Sequence, residues 1–313
     1  MPGFTLRPMG PTDRPAVLDI ASRTWEGSDY LPRVFDDWLA DRDGAFVAAL
    51  LGDRVVGCGK LTFLTPVDAW LEGLRKHPDV AVGGLAEMIT RYFLRRLAGL
   101  PGLASVRFST YVFNERSIAA NERLGFRIRR VFSCKVWTGK RDDLDRAAGP
   151  HDGRVSVVRD PEAVRRFVEA SDWLAAADGV VCEGWRVYPY SWPWFSSRYL
   201  ETGRCLGVLD AGRLAGLSVA VRDPRFDGDH VKLAFLEAVD GTAAGALLGA
   251  LFRFAREHAG DDNEIEMILP PGAPAGPVAA ARGFRSWERE DDFLLYELPL
   301  PLLAGFAEGS FRR

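Results

Sequence analysis

The sequence predicts an α/β protein with a mixed sheet, made of two tandem modules of which the second is degenerate. Strand-like and helix-like segments alternate, and 313 residues suffice for about two domains. The two halves also have matching residues at turns and helix ends. Gly57 and Gly216, each in a hairpin, are 159 positions apart, and the Gly-Phe pairs beginning at Gly125 and Gly283 are 158 apart. Two matched offsets indicate a duplicated module.

The first half begins with a strand and two helices and continues with a hairpin. Its turn falls at Gly52-Asp53, a residue pair that suits a tight hairpin turn. Strands and helices alternate after the hairpin. The predicted segments are strand 4–9, helices 11–25 and 30–39, hairpin 45–64, strand 69–77, helix 83–99, strand 105–113, helix 114–126 and strand 129–137.

The second half repeats this order in a shortened form. A hairpin turns at Ala211-Gly212, and the turn that follows the next strand is shorter than its counterpart in the first half. The predicted segments are hairpin 205–221, strand 231–239, helix 243–260, strand 264–269 and a short helix that ends at Gly283. We therefore predict an N-terminal domain at 1–140, a charged linker with Gly and Pro at 141–154, and a C-terminal domain at 155–313.

Composition favours a cytoplasmic protein and excludes several kinds of site. No apolar run is long enough to span a membrane, and the first residues lack the apolar core of a signal peptide. The four cysteines and four histidines are dispersed, so we expect no metal. Residues 95–141 carry 11 basic and 2 acidic side chains. That surplus favours a nucleotide cofactor or RNA, although a solvated basic face is an equal alternative; we expect no DNA or membrane partner.

Three motifs carry a resemblance to a known family. They are LEGLRKHPD at 71–79, VGGLA at 82–86 and NERSIAANERLGF at 114–126. In this order, after a hairpin, they resemble the GNAT (GCN5-related N-acyltransferase) superfamily over roughly residues 4–138. The segment DYLPRVFDDWL at 29–39 is further similar to the branch that contains the histidine N-acetyltransferase of vertebrates.

The resemblance implies an acetyl-CoA or other acyl-CoA co-substrate lying between two splayed central strands. Strand residues Leu74, Arg75 and Lys76 would pair with the pantetheine amides, and Asn114 and Ser117 would bond the pantetheine arm, although Asn114 could equally be a helix N-cap. The pyrophosphate would lie on backbone amides at a helix N-terminus. The residues implied for it are Gly83, Gly84, Leu85 and Ala86.

The turn departs from the family pattern Arg/Gln-x-x-Gly-x-Gly/Ala. Ala81 stands where the pattern has a long polar side chain, and Val82 stands where another glycine is common. The amides can still be presented, because Gly84 and Ala86 are small. The sequence therefore predicts an anion site that keeps the backbone amides of the family pattern but lacks its long polar side chain at position 81.

Glu72 is the candidate base, since an amine must lose its proton before it attacks a thioester. The alternative is a strand-edge carboxylate paired with Arg75 or Lys60. The family's acid is a tyrosine at the position that Asn121 occupies here, and an amide cannot donate a proton as an acid. Either the thiolate leaves without help, or Tyr111 or Tyr92 substitutes.

Aromatic residues are the candidates for the acceptor pocket. Tyr30, Phe35 and Trp38 lie where similar enzymes keep acceptor-binding helices, and Trp192 and Trp194 belong to an aromatic segment at 184–200. Both groups could instead be buried packing residues, or could fill the interface between the halves.

Three functions follow from these features. The first is transfer of an acetyl or other acyl group from acyl-CoA to the amine of an amino acid or related small metabolite. The second keeps the fold and takes an aminoacyl group from charged tRNA. This donor would explain both the alanine at position 81, where a pyrophosphate clamp is not needed, and the basic segment 95–141, which could bind RNA. The third is a non-catalytic acyl-CoA-binding module.

Overall fold

A computed structural model describes residues 3–81, 83–223 and 230–307. It divides the chain into two compact units, one formed by Met1–Arg129 with Leu295–Arg313 and the other by Arg130–Leu294. Residues 141–154, expected to be a linker, lie inside the second unit, and Arg141–Ala148 is a helix there. In the part of the chain that is described, no helix is long and apolar enough to cross a membrane.

The first unit begins with the predicted alternation of strands and helices. Its elements are β1 (Phe4–Pro8), α1 (Arg14–Ser22), α2 (Leu31–Ala40), β2 (Ala45–Leu51), β3 (Arg54–Thr65), β4 (Asp68–Lys76), α3 (Leu85–Ala98), β5 (Ser105–Tyr111), α4 (Glu115–Arg123) and β6 (Arg127–Gly139), in which the chain enters the second unit. Strands β1 to β4 pair antiparallel in sequence order, and β4 pairs parallel with β5. The predicted turn at Gly52-Asp53 joins β2 to β3.

The second unit carries a sheet of the same kind. Its elements are α5 (Arg141–Ala148), β7 (Val155–Val157), α6 (Pro161–Glu169), α7 (Asp172–Ala176), β8 (Val180–Glu183), β9 (Arg186–Pro189), α8 (Trp192–Phe195), β10 (Cys205–Asp210), β11 (Arg213–Arg222), β12 (His230–Ala238), α9 (Gly241–Glu257), β13 (Asn263–Leu269), α10 (Ala275–Ala281) and β14 (Arg285–Ser286). The sheet runs in the order β6-β13-β12-β11-β10-β7, and β12 and β13 are its parallel pair.

The duplication predicted from glycine offsets extends to backbone irregularities. The β2–β3 hairpin has a register shift between Ala49 and Leu50, and the β10–β11 hairpin has one between Val208 and Leu209, which is the same position in the repeat. The helices before Gly125 and Gly283 both end at glycines with left-handed φ, +99° and +92°. The chain therefore contains two modules of one fold, as the sequence indicated.

The C-terminal segment completes the first unit, which the sequence did not reveal. Strand β15 (Phe293–Glu297) returns the chain to the first unit and lies next to β5, and α11 (Leu300–Ala307) follows. The Tyr296 ring stacks on Phe108 at 5.0 Å, and the Leu298 amide donates to the Val106 carbonyl at 2.9 Å. The predicted boundary at 155–313 therefore differs from the observed division.

Candidate active site

Strands β4 and β5 separate after a short paired stretch. Their ladder comprises three pairs, from Asp68↔Ser105 to Trp70↔Arg107, although β4 continues to Lys76 and β5 to Tyr111. Beyond the last pair, the facing edges of the two strands diverge. This V-shaped opening is the arrangement that the sequence resemblance implied for the acyl-CoA site.

A β-bulge in β4 lies next to Glu72. Cys58 of β3 pairs with Arg75, and Lys60 pairs with Glu72, so two β4 residues, Gly73 and Leu74, stand opposite one residue of β3. Gly73 has φ +66°, and a Cβ there would lie 2.3 Å from the Trp38 ring. The bulge therefore depends on glycine, and it brings Glu72 and Arg75 to the same face of the sheet.

The Glu72 side chain is half-buried and oriented by a neighbour. The Thr62 hydroxyl donates to its Oε1 at 2.6 Å. Of the two basic residues considered as partners for Glu72, Lys60 contacts Asp41 through its Nζ, and Arg75 contacts Asp29. Glu72 is thus a carboxylate held at the rim of the V-shaped opening.

The Arg75 side chain holds the connection between α1 and α2. Its guanidinium donates to Asp29 at 2.8 and 3.2 Å and lies over the rings of Trp25 and Tyr30, at 4.3 and 5.3 Å from the ring centroids. The Asp29 side chain is fully buried. A cofactor contact by Arg75, as the resemblance implies, would therefore involve its main chain rather than its guanidinium.

The turn after β4 is fixed by hydrogen bonds around His77. The buried His77 accepts at Nδ1 from the Asp79 amide at 3.2 Å, and its Nε2 lies 2.9 Å from an Asp19 carboxylate oxygen. The Lys76 ammonium donates to the Val80 carbonyl at 2.7 Å. His77 is thus a structural residue of the turn. Val82 lies outside the described residues.

Two glycines stand at the N-terminus of α3. Gly84 is its N-cap with φ +87°, and no side chain caps the helix there. A Cβ built on Gly83 or Gly84 would meet no atom of the described residues within 4 Å, apart from the glycine's own chain neighbours. The amides of Leu85 and Ala86 thus lie in the first turn of a 14-residue helix, where the helix dipole favours an anion. Glu87 in the same turn is bound by Arg91 at 2.9 Å.

The start of α4 carries the other residues implied for the pantetheine arm. Asn114 does not cap the helix with its side chain; its amide instead donates to the Thr110 hydroxyl at 3.0 Å. Ser117 is half-buried one turn later, and its carbonyl accepts from the Asn121 amide at 2.9 Å.

No acid occupies the position where the family has a tyrosine. Asn121 is buried and also accepts from the Thr90 hydroxyl of α3 at 3.3 Å, so it joins α4 to α3. Tyr111, the proposed substitute, is half-buried at the end of β5, and Tyr92 packs edge-on against Phe93. Burial raises the pKa of the Cys58 thiol to about 12, which disfavours a thiolate nucleophile.

The predicted acceptor-binding aromatics fall into two groups. Phe35 and Trp38 are buried in the core of the first unit, where both rings contact Phe46 and Tyr30 packs against them. Trp192 and Trp194 belong to α8 in the second unit. The Trp194 ring stacks on Tyr188 at 4.9 Å. Packing is thus the role visible for Phe35 and Trp38.

The second unit fills the equivalent helix terminus with its own carboxylate. Asp240 caps α9, and its side chain accepts from the Ala243 amide at 2.8 Å. Glu237, which matches Glu72 in the sequence repeat, accepts from the Trp173 amide at 2.8 Å. This terminus would therefore repel a pyrophosphate, which is what a degenerate module implies. Among the described residues, no group of His, Cys, Asp and Glu could hold a metal ion.

Comparison with known proteins agrees with this geometry. The sequence model of the Acetyltransferase (GNAT) family matches residues 14–126. Residues 14–126 therefore form a GNAT domain. The GNAT domain includes β2 to β5, α3, α4 and the turn between β4 and α3. A search of curated proteins gave no significant match.

Solved structures extend the likeness to both units. A GCN5-related N-acetyltransferase from Sphaerobacter thermophilus is 14% identical with a TM-score of 0.65, and the alignment covers 95% of this chain and 96% of that one. A tandem GNAT protein from the clavulanic acid biosynthesis pathway is 15% identical with a TM-score of 0.60, over 95% and 99% of the two chains. At these identities the likeness shows the tandem GNAT fold alone.

Sequence reasoning missed three residues of this region. Gly73 was not recognised as a bulge, although a glycine inside a strand is the usual signal for one. Thr62 and Arg107 were also overlooked. For Arg107 the signal was a basic residue inside an otherwise apolar strand, SVRFSTY.

Proposed function

We propose that the GNAT domain transfers an acyl group, most simply acetyl from acetyl-CoA, to the amine of an amino acid or a related small metabolite. One observation carries the proposal: the V-shaped opening between β4 and β5 has Glu72 at its rim and lies between a bulge and the uncapped N-terminus of α3. The family match supports acyl transfer from acyl-CoA in general terms.

Each part of the donor has a matching group in the first unit. The first-turn amides of α3 would hold the pyrophosphate, since Gly83 and Gly84 leave room for it. The main chain of Leu74, Arg75 and Lys76 would bond the pantetheine amides along the diverging edge of β4. Asn114 and Ser117 at the start of α4 would contact the same arm.

Glu72 would take the proton from the acceptor ammonium, directly or through a water molecule. The amine nitrogen then attacks the thioester carbonyl carbon, the C–N bond forms and the C–S bond breaks. The electron pair leaves with sulfur as a thiolate, and the nitrogen passes its second proton to solvent as the amide forms. Tyr111 or solvent protonates the thiolate. The Thr62 hydroxyl keeps the carboxylate in place at 2.6 Å.

The test combines a binding and a turnover measurement. Calorimetry should give a binding signal for acetyl-CoA, and a thiol-release assay with a panel of amines should give turnover. Glu72→Gln keeps the oxygen that accepts from Thr62, so we expect unchanged acetyl-CoA affinity with kcat/KM lowered about 10²–10⁴-fold. Glu237→Gln, the matched change in the second unit, should leave both values unchanged.

Two results would redirect the proposal. If acetyl-CoA does not bind and salt-sensitive tRNA binding is found instead, the aminoacyl-tRNA alternative gains, for which the exposed Arg95 and Arg96 of α3 are candidate contacts. If acetyl-CoA binds but no amine is acylated, the first unit is a binding module.

A further inference from the structure

Arg107 stands on the same face of the sheet as Glu72. It pairs with Trp70 at the last rung of the parallel β4–β5 ladder, and paired residues of neighbouring strands point to the same face. Trp70 and Glu72 are two positions apart in a stretch of β4 whose register with β3 is regular, so they share that face too. At ladder spacing the Cα atoms of Arg107 and Glu72 would be about 8 Å apart, and the divergence of the strands beyond this rung increases that distance.

The Arg107 guanidinium is only partly used. Its side chain is 10% exposed, and its Nε donates to Glu297 Oε2 at 2.5 Å. Its Nη1 is buried and has no hydrogen-bond partner among the described residues. Leaving a charged donor in this state costs free energy, so such groups are rare unless another molecule satisfies them.

The surrounding carboxylates do not supply the missing acceptor. Glu297 is shared, because Arg129 Nη1 lies 3.4 Å from its other oxygen. Asp68, on the neighbouring strand, accepts from the hydroxyls of Ser105 and Thr65. Two guanidinium groups therefore meet one carboxylate beside β5, which leaves Arg107 suited to a further anion.

We propose that Arg107 determines acceptor specificity by binding a carboxylate of the acceptor, while the acceptor's amine lies at Glu72. A guanidinium matches a carboxylate with two parallel N–H donors, which an amine alone cannot use. The substrate class is then an amino acid rather than a simple amine. This inference rests on the proposed acyl transfer, and it names the acceptor of that same site.

The experiment compares matched acceptors that differ only in the carboxylate. The full-length protein is assayed with acetyl-CoA and with amino acids beside their decarboxylated forms, for example histidine with histamine and tryptophan with tryptamine. We expect the wild type to favour the amino acid of the best pair. Arg107→Gln should lower kcat/KM for that amino acid about 10–100-fold and change the paired amine little, with acetyl-CoA affinity unchanged.

Two further variants separate recognition from folding. Arg107→Lys keeps the positive charge but loses the two parallel N–H donors. Its preference for the amino acid over the paired amine should therefore lie between those of the wild type and Arg107→Gln. Arg129→Gln removes the other, more exposed partner of Glu297 and should leave the preference unchanged. Either variant keeps the comparison possible if Arg107→Gln does not fold.

Distinct results would overturn the inference. A wild type that favours the decarboxylated amines, or acylates those amines and none of the amino acids, contradicts it. Equal loss for both members of a pair in Arg107→Gln would show a structural role only. These outcomes leave the proposed acyl transfer standing, whereas absence of acetyl-CoA binding would reject that proposal itself.

Discussion

Replacing Gly73 by alanine should distort the bulge that places Glu72. Two costs add. The left-handed φ of +66° disfavours any residue with a Cβ, by about 1–2 kcal/mol. The new methyl group would also lie 2.3 and 2.4 Å from two atoms of the buried Trp38 ring, and overpacking of this kind costs about 1–3 kcal/mol. We expect the free energy of unfolding to fall by about 2–5 kcal/mol.

Gly52→Ala is the matched control for this variant. Gly52 also has a left-handed φ, +62°, but a Cβ there would meet no atom within 4 Å in the part of the chain that the structure describes, its chain neighbours aside. The control should therefore show the backbone cost alone, and the difference between the variants measures the contact with Trp38. Urea unfolding followed by fluorescence gives the free energies, and acyl transfer should fall in Gly73→Ala only. Equal destabilisation by the two changes would refute the bulge's dependence on Trp38.

Two further predictions concern capping and pH. Asp240→Ala removes the cap of α9 and should lower the free energy of unfolding by about 1 kcal/mol. The affinity of the first unit for acetyl-CoA, measured by calorimetry, should not change. A second acetyl-CoA site in the wild type would contradict a closed second unit. The hydrogen bonds from Arg7 lower the pKa of the Asp13 carboxyl, so that pair stabilises the fold above the unfolded pKa of about 3.9 and loses its contribution as pH falls through the folded value. The difference in unfolding free energy between the wild type and Asp13→Asn should therefore shrink below about pH 4, and a constant difference would contradict the pair's role.

Local signals in the sequence identified most of the elements near the site. The Gly52-Asp53 and Ala211-Gly212 turns, the strand before His77 and the helix after Gly84 were predicted because turn residues and hydrophobic periodicity act over a few positions. The bulge at Gly73 was not, because it depends on the register with β3 and on the Trp38 ring from α2.

Contacts between residues far apart in the chain could not be predicted from local sequence signals either. Nothing local indicates that the segment after Leu295 returns to the first unit, or that Glu297 binds Arg107 across 190 positions. The charged composition of residues 141–154 predicts a linker, because it gives no sign that Leu144 and Ala148 are buried positions of the helix Arg141–Ala148. The predicted aromatics Phe35 and Trp38 satisfy the helical spacing of a core face, which is where the structure has them.

Amide hydrogen exchange with and without acetyl-CoA tests the central claim most directly. The claim is that the first unit binds the donor at the N-terminus of α3 and along β4, and that Asp240 closes the equivalent terminus of α9. Acetyl-CoA should slow exchange at residues 84–87 and 74–76 and leave residues 241–244 unchanged. Protection at 241–244, or none in the first unit, would contradict the claim.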